Sequence, residues 1–273
     1  MIKYGGKLII MISDEYKLYL KQLKIKKILV GCFQILLIFL FLFIWEWLSK
    51  NKIINSFIFS SPSKICNTIY KLYLNNNLFN HILVTLYESI ISFTLSTIIG
   101  TFIAILLWLN KFIYKVLEPY LTMLNSLPKV ALGPVIIILL GANIKSIIIM
   151  ALLISLFVTI TNVYSGFVNT DKIKLKLMNS FGANKIEMLK YLIIPSNYNV
   201  IISCLKVNVG LSLVGVIMGE FLVSKEGIGY LINYGSEVFN LDIVYSGIIL
   251  LLLVSYLMYI GVKYLEKVLT KRD

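Results

Sequence analysis

Hydrophobic and polar positions in this chain do not alternate; they come in blocks. Ile28–Leu48, Leu83–Trp108, Leu121–Leu140, Ile147–Phe167, Val200–Val223 and Ile243–Leu265 are apolar runs, each about 20 residues or longer, the length a membrane-spanning helix needs. At about 1.5 Å of rise per residue, each crosses a hydrocarbon core of about 30 Å. The blocks predict an all-α integral membrane protein with six transmembrane helices and no separate soluble domain. Three regions follow: a basic arm over 1–27, a first span with an external amphipathic helix over 28–82, and a helical core over 83–268.

Within that pattern the segments differ. In the arm, Ser13 can cap a helix with Asp14 and Glu15 in its first turn. Tyr16, Leu20 and Leu23 then share a face that suits the inner leaflet, and an ordinary basic flank remains open as an alternative. Met1 and Met11 both offer starts. The first run is too long for a signal-peptide core and no A-x-A site follows it. Trp45 and Trp47 mark a membrane interface, with Glu46 at the same edge. Ser61-Pro62 is a helix start. Ile65, Ile69, Leu72 and Tyr73 then form one face, until Asn75, Asn76 and Asn77 end the helix. The third run is irregular, with Pro128, Lys129, Gly133 and Pro134 ahead of Gly141. Proline breaks a helix, and a broken helix survives in lipid only against protein or water. Lys129 there must face inward or reach toward the surface. The fifth run carries Lys206 and Asn208 in one half and Glu220 near its end. Gly215 and Gly219 in it permit close helix packing.

The most patterned polar stretch is 169–195. A plain connector between spans needs only a few residues. Here Lys174–Phe181 and Lys185–Leu192 read as two short helices broken at Gly182-Ala183, with Ile186, Leu189 and Ile193 on one side. Pro195 suits the start of the fifth span. Phe181, Gly182, Ala183, Asn184, Ile186, Leu189 and Pro195 are therefore the candidate docking residues. Lys129, Lys206, Asn208 and Glu220 are the candidate pathway or interior-facing residues.

Composition supports the membrane reading: 59% of the 273 residues are hydrophobic, 14% are charged, and mean hydropathy is +0.88. Net charge is +13, which in a soluble chain would suggest nucleic acid. The positive-inside rule accounts for it instead. Lys3, Lys7, Lys17, Lys21, Lys24, Lys26, Lys27, Lys111, Lys115, Lys172, Lys174, Lys176, Lys185, Lys190, Lys263, Lys267, Lys271 and Arg272 fall on one side. Only Lys50, Lys52, Lys64, Lys71, Lys145 and Lys225 fall on the other. Both termini and the 169–195 loop are expected in the cytoplasm, with the spans in a bacterial cell membrane.

Much chemistry is missing. His81 is the single histidine, and Cys32, Cys66 and Cys204 lack metal spacing and suit apolar packing. No phosphate-cradling G-x-x-x-x-G-K-[ST] run and no TVGYG filter occur. Glu46, Glu88, Glu118 and Glu220 all map to span ends, which suits no deep proton relay. No catalytic, cofactor or metal site is expected, nor ATP hydrolysis by this chain.

Several motifs carry a resemblance. Gly182, nine residues, then Leu192, Ile193, Ile194 and Pro195 match the G, nine residues, I-x-L-P part of the loop signature in permeases of binding-protein-dependent ABC importers. Lys176, Leu177 and Met178 stand where that signature has Glu-Ala-Ala. SSPSK at 60–64, LNSLPKVALGPVIIILLGA at 124–142, NSFGANKIEMLKYLIIPS and GEFLVSKEGIGYLI at 219–232 resemble the sulfonate, taurine, nitrate and thiamine-precursor group. The resemblance covers 60–265. It implies a type I ABC importer transmembrane fold, a permease dimer, and an extracytoplasmic solute-binding protein. It also implies two cytoplasmic ATPase subunits that bind ATP and dock on the loop. A secondary transporter or channel subunit without an ATPase is the alternative, and a membrane-embedded enzyme would need a polar cluster that is not visible.

Overall fold

The computed structural model describes residues 2–4, 7–9, 14–75 and 77–270. Ser13, Met1, Met11 and Asn76 lie outside the described residues, as does the side chain of Tyr16. The chain divides into two units, 1–64 and 65–273.

The first unit departs from the all-helical expectation in one detail. Strands β1 (Ile2–Tyr4) and β2 (Lys7–Ile9) pair antiparallel, Ile2 opposite Ile9 and Tyr4 opposite Lys7. Helix α1 then runs unbroken over Asp14–Lys50, so residues 14–27 of the basic arm and the first span are one helix with no break at 27. Its 37 residues would extend about 55 Å. The apolar side chains of Leu36, Phe39, Phe43 and Trp47 are exposed on it, as lipid-facing side chains are. A short helix α2 (Ser56–Phe59) follows. Glu46 acts locally, its carboxylate accepting from Ser63 N at 3.1 Å and from Ser63 Oγ at 2.9 Å. Ser61 Oγ accepts from Lys64 N at 3.3 Å, as a helix cap should.

In the second unit, α3 (Pro62–Leu74) leads from the first. Its Ile65, Ile69 and Leu72 turn into the apolar core, while Tyr73 stays exposed against Phe79. Three long helices form the centre: α4 (Leu78–Leu109), α7 (Ile144–Val168) and α11 (Tyr198–Val223). They pack on one another, and α12 (Ile228–Glu237) and α13 (Leu241–Thr270) close over α11. Glycine sets how closely the central helices approach. A Cβ at Gly100 would come 2.8 Å from Thr159 Cβ. A Cβ at Gly219 would come 2.9 Å from Ile147 Cγ2, and one at Gly215 would fall on the Ala151 backbone. Small residues remove the separation that side chains impose, which is how helices bind in lipid, where the hydrophobic effect is silent.

The third expected span is bent. Residues 121–140 do not form one helix: α5 (Lys111–Ser126) and α6 (Gly133–Leu140) meet at 91° across a 3-10 turn at Lys129–Leu132. Among the described residues, five helices are long and apolar enough to span, or six if this bent pair is one. The bend has a local cause. Pro128 has no N–H for the Leu124 carbonyl, and Lys129 Nζ donates to the Asn125 carbonyl at 3.1 Å. The lysine therefore repairs part of the break it sits in.

Between α7 and α11 come α8 (Lys172–Ser180), α9 (Lys185–Met188), a π turn at Leu189–Ile193 and α10 (Ile194–Ser196). The second loop helix expected over 185–192 is thus only one α turn followed by a π turn. Pro195 explains this, because it cannot donate to the Tyr191 carbonyl as an α-helix would require.

Candidate docking loop and buried polar residues

The 169–195 loop is held against the bundle and presents an apolar surface away from it. Asp171 Oδ1 caps α8 by accepting from Ile173 N at 2.8 Å. Gly182 ends that helix in the left-handed region at φ +76°, with Ala183 N donating to the Met178 carbonyl at 3.1 Å, a glycine C-terminal cap. Asn184 then starts α9 with a reciprocal cap. Its Oδ1 accepts from Ile186 N and Glu187 N, and Glu187 Oε2 accepts from Asn184 N at 2.8 Å. Between the two caps the turn has little freedom.

The anchoring and presenting residues differ from the sequence expectation, which puts Leu189 and Ile193 on the free ridge with Ile186. Instead Leu189 packs against the core cluster and Ile193 is fully buried, because the π turn rotates them toward α7 and α11. Lys185 Nζ donates to the Leu109 carbonyl at 3.3 Å, tying the loop to the end of α4. The exposed ridge is made by Ile173, Leu177, Phe181 and Ile186; Ile173, Phe181 and Ile186 are 77%, 79% and 69% exposed. Ile173 and Leu177 are absent from the sequence-derived candidates, although their i, i+4, i+8 spacing with Phe181 is legible. Ala183 and Asn184 sit at the tip, and Pro195 lies in α10.

The candidate interior residues are not brought together. Lys206 forms an ion pair with Glu266 of α13, Nζ to Oε2 2.7 Å, and is half-buried. It faces a neighbouring helix rather than an open interior. Lys129 stays at the α5–α6 bend. Asn208 is fully buried between α4 and α7, its Nδ2 donating to Thr97 Oγ1 and to Thr159 Oγ1, both at 2.8 Å. Asn208→Ala should therefore lower the midpoint of thermal unfolding in detergent, consistent with about 1–2 kcal/mol for lost interhelical hydrogen bonds. An unchanged midpoint would mean that the three side chains do not act together.

Glu220 lies near the end of α11, as the sequence expects, whereas Glu88 lies ten residues inside α4 rather than at a span end. Both are buried, Glu88 0% and Glu220 1% exposed. Glu220 Oε1 accepts from Thr85 Oγ1 at 2.6 Å, and Oε2 accepts from Gly229 N. Thr85 Oγ1 accepts from Ile228 N at 2.8 Å, and His81 Nδ1 from Gly227 N at 3.0 Å. Gly227, at φ +106°, and Gly229 leave the space that the Glu220 carboxylate fills. The single histidine thus helps pin the 224–229 turn to α4. Of the three cysteines, Cys204 is buried in the core as packing predicts, whereas Cys32 and Cys66 are exposed. Among the described residues, no cluster of three metal-ligating side chains occurs.

One further feature had no place in the sequence reading. A cavity of about 590 Å³ opens at the loop end between α7 and α11, lined by Asn162, Ser165, Asn169, Asn199 and Ser203 among others. The signal was present: Asn162, Ser165 and Asn169 recur at helical spacing in an otherwise apolar run.

Comparison with known proteins agrees with this architecture. A probable ABC transporter permease protein of Haemophilus influenzae is 26% identical over 231 residues, covering 85% of this chain and 94% of its own. The formylaminopyrimidine transport permease protein ThiX of Halalkalibacterium halodurans is 28% identical, covering 83% and 90%. The putative aliphatic sulfonates transport permease protein SsuC of Bacillus subtilis is 25% identical, covering 84% and 83%. Among solved structures, an inward-facing MetNI methionine ABC transporter has the same fold, with TM-score 0.62, 13% identity, and coverage of 69% of this chain and 94% of that one. Residues 96–271, most of the chain, match the binding-protein-dependent transport system inner membrane component family, and the chain belongs to that family as an ABC importer permease with the type I transmembrane fold.

Proposed function

We propose that this permease works as a dimer of identical chains, docked through 169–195 on a pair of cytoplasmic ATPases and fed by an extracytoplasmic solute-binding protein. The observation that carries the reading is the loop itself: two capped turns hold Phe181 and Ile186 rigid and exposed while Leu189 and Ile193 anchor them from below. An apolar ridge on a lysine-rich segment is costly to leave in water and suits a partner groove. ATP-driven closure of the partners would move this ridge and, through its anchors, α4, α7 and α11, between inward-open and outward-open states. The solute is a small organic anion of the sulfonate, taurine or nitrate type, or a thiamine precursor. Relatives named for formylaminopyrimidine and for aliphatic sulfonates support that range.

The test is reconstitution. The purified chain alone should hydrolyse no ATP, and ATP-driven uptake should appear only when the ATPase and the binding protein are added. Uptake by the permease alone, driven by an ion gradient, would sink the reading and favour a secondary transporter. Topology gives an independent check. The lysine asymmetry predicts that a cysteine replacing Asn184 is labelled from the cytoplasm and one replacing Asn75 from outside, in a chain whose native cysteines are removed. The reverse pattern would turn the whole arrangement over.

A further inference from the structure

The cavity at the loop end holds hydrogen-bonding groups where lipid would not tolerate them. Asn162 lies six residues before the end of α7 and Ser203 five after the start of α11, depths of roughly 9 and 8 Å along the helices. Helix α7, with 25 residues, is only about 7 Å longer than a hydrocarbon core. Asn162 therefore lies below the membrane boundary even if all of that excess falls at this end, and Ser203 lines the same concavity. Both are exposed, and among the described residues neither they nor Asn199 have a hydrogen-bond partner. Polar groups at that depth face protein or a water-filled space. Here they line a concavity of about 590 Å³, within the range of small-molecule sites.

The cavity wall is uncharged. Its polar groups are amides and hydroxyls, and its remaining lining is small or apolar. The two basic side chains at membrane depth in the core are engaged elsewhere. Lys206 is paired with Glu266 on the α13 side of α11, and Lys129 is bonded to the Asn125 carbonyl at the bend. Gly166 forms part of the floor, where a Cβ would come 2.9 Å from Asn197 Oδ1. The Asn197 amide is itself fixed by donating to Thr170 Oγ1 at 2.7 Å and to the Ile193 carbonyl at 2.9 Å. The same amide therefore joins the cavity to the buried anchor of the docking loop.

We propose that this cavity is a stretch of the solute pathway and that it favours neutral hydrogen-bonding solutes, such as amino- or carbonyl-bearing nitrogen heterocycles, over organic anions. The proposal rests on the importer reading and narrows its solute class. Amides and hydroxyls present donors and acceptors to match such a solute edge for edge. An ionised sulfonate would find no cation on this wall to replace the water it sheds in passing, and a charge that is stripped of water and left unpaired costs far more than an amide does.

Thiol labelling tests the cavity without assuming any natural solute. Asn162→Cys and Ser203→Cys are made in the full chain with Cys32→Ser, Cys66→Ser and Cys204→Ala, and assembled with the partner ATPase in everted vesicles. Each is treated with 2-hydroxyethyl methanethiosulfonate, which is neutral, and with the 2-sulfonatoethyl reagent, which is an anion of similar size. Rates are divided by those for free 2-mercaptoethanol. The neutral reagent should be favoured by about tenfold or more, the ratio that a desolvation difference of about 1.4 kcal/mol gives. Equal or anion-favouring ratios would overturn the solute class. No reaction with either reagent would overturn the pathway, since the side chains would then be covered. If a variant fails to accumulate, Asn199→Cys and Ser165→Cys carry the same test. Failure of the importer reading would show separately, as loss of the ATPase from the purified complex with the thiol ratios still measurable.

Discussion

Gly215→Val is expected to leave little folded permease, seen as loss of the monodisperse peak on size exclusion in detergent. The Cβ of any residue there would fall on the Ala151 backbone and 2.9 Å from Ala151 Cβ. Backbone cannot rotate away as a flexible side chain can, so α11 and α7 must separate. Overpacking a tight core costs about 1–3 kcal/mol even where side chains can yield. The separation would also disturb the neighbouring Asn208–Thr159 hydrogen bond, 2.8 Å long between the same helices. Gly215→Ala should give an intermediate loss. Gly210→Ala is the control, because nothing lies within 4 Å of its would-be Cβ. If Gly215→Val runs as a single sharp peak with an unchanged unfolding midpoint, close packing of these two helices is not what holds the bundle.

Phe181→Asp and Ile186→Asp are each expected to abolish co-purification of the partner ATPase and with it ATP-driven uptake, while the permease still inserts and folds. Both side chains are exposed and neither supports the bundle. An interface of this size depends on a few apolar anchors worth about 2 kcal/mol or more apiece, a loss of roughly thirtyfold in affinity. Gly182→Asp belongs with them. Its φ of +76° is strained for most side chains, but aspartate tolerates that region well, and apart from its two chain neighbours nothing in this chain lies within 4 Å of an added Cβ. What it would disturb is a partner. Leu189→Asp should behave differently, lowering the permease's own stability, because that side chain packs into the core. If all four variants keep the ATPase and transport normally, the loop is only a charged connector. If Leu189→Asp alone fails, the ridge is wrongly placed.

The sequence by itself determined the class of molecule. Blocks of apolar residues about the width of a bilayer leave helices as the available spanning form, since each helix satisfies its own backbone bonds. The loop at 169–195, its break at Gly182 and the irregular third run were equally legible, because caps, glycine and proline act within a few residues of themselves. The tertiary structure decided what depends on which face meets which neighbour. Leu189 and Ile186, both apolar and three apart, were indistinguishable until a π turn forced by Pro195 sent one inward and left the other out. Lys206 and Asn208 looked like a pair of interior polar groups. A rotation of about 200° between them along the helix sends one to Glu266 and the other to Thr97 and Thr159. Glu88 and Glu220, 132 residues apart in the chain, are both buried only because α4, α7 and α11 pack on one another. Periodicity states how often a helix turns toward the core; only packing fixes the direction.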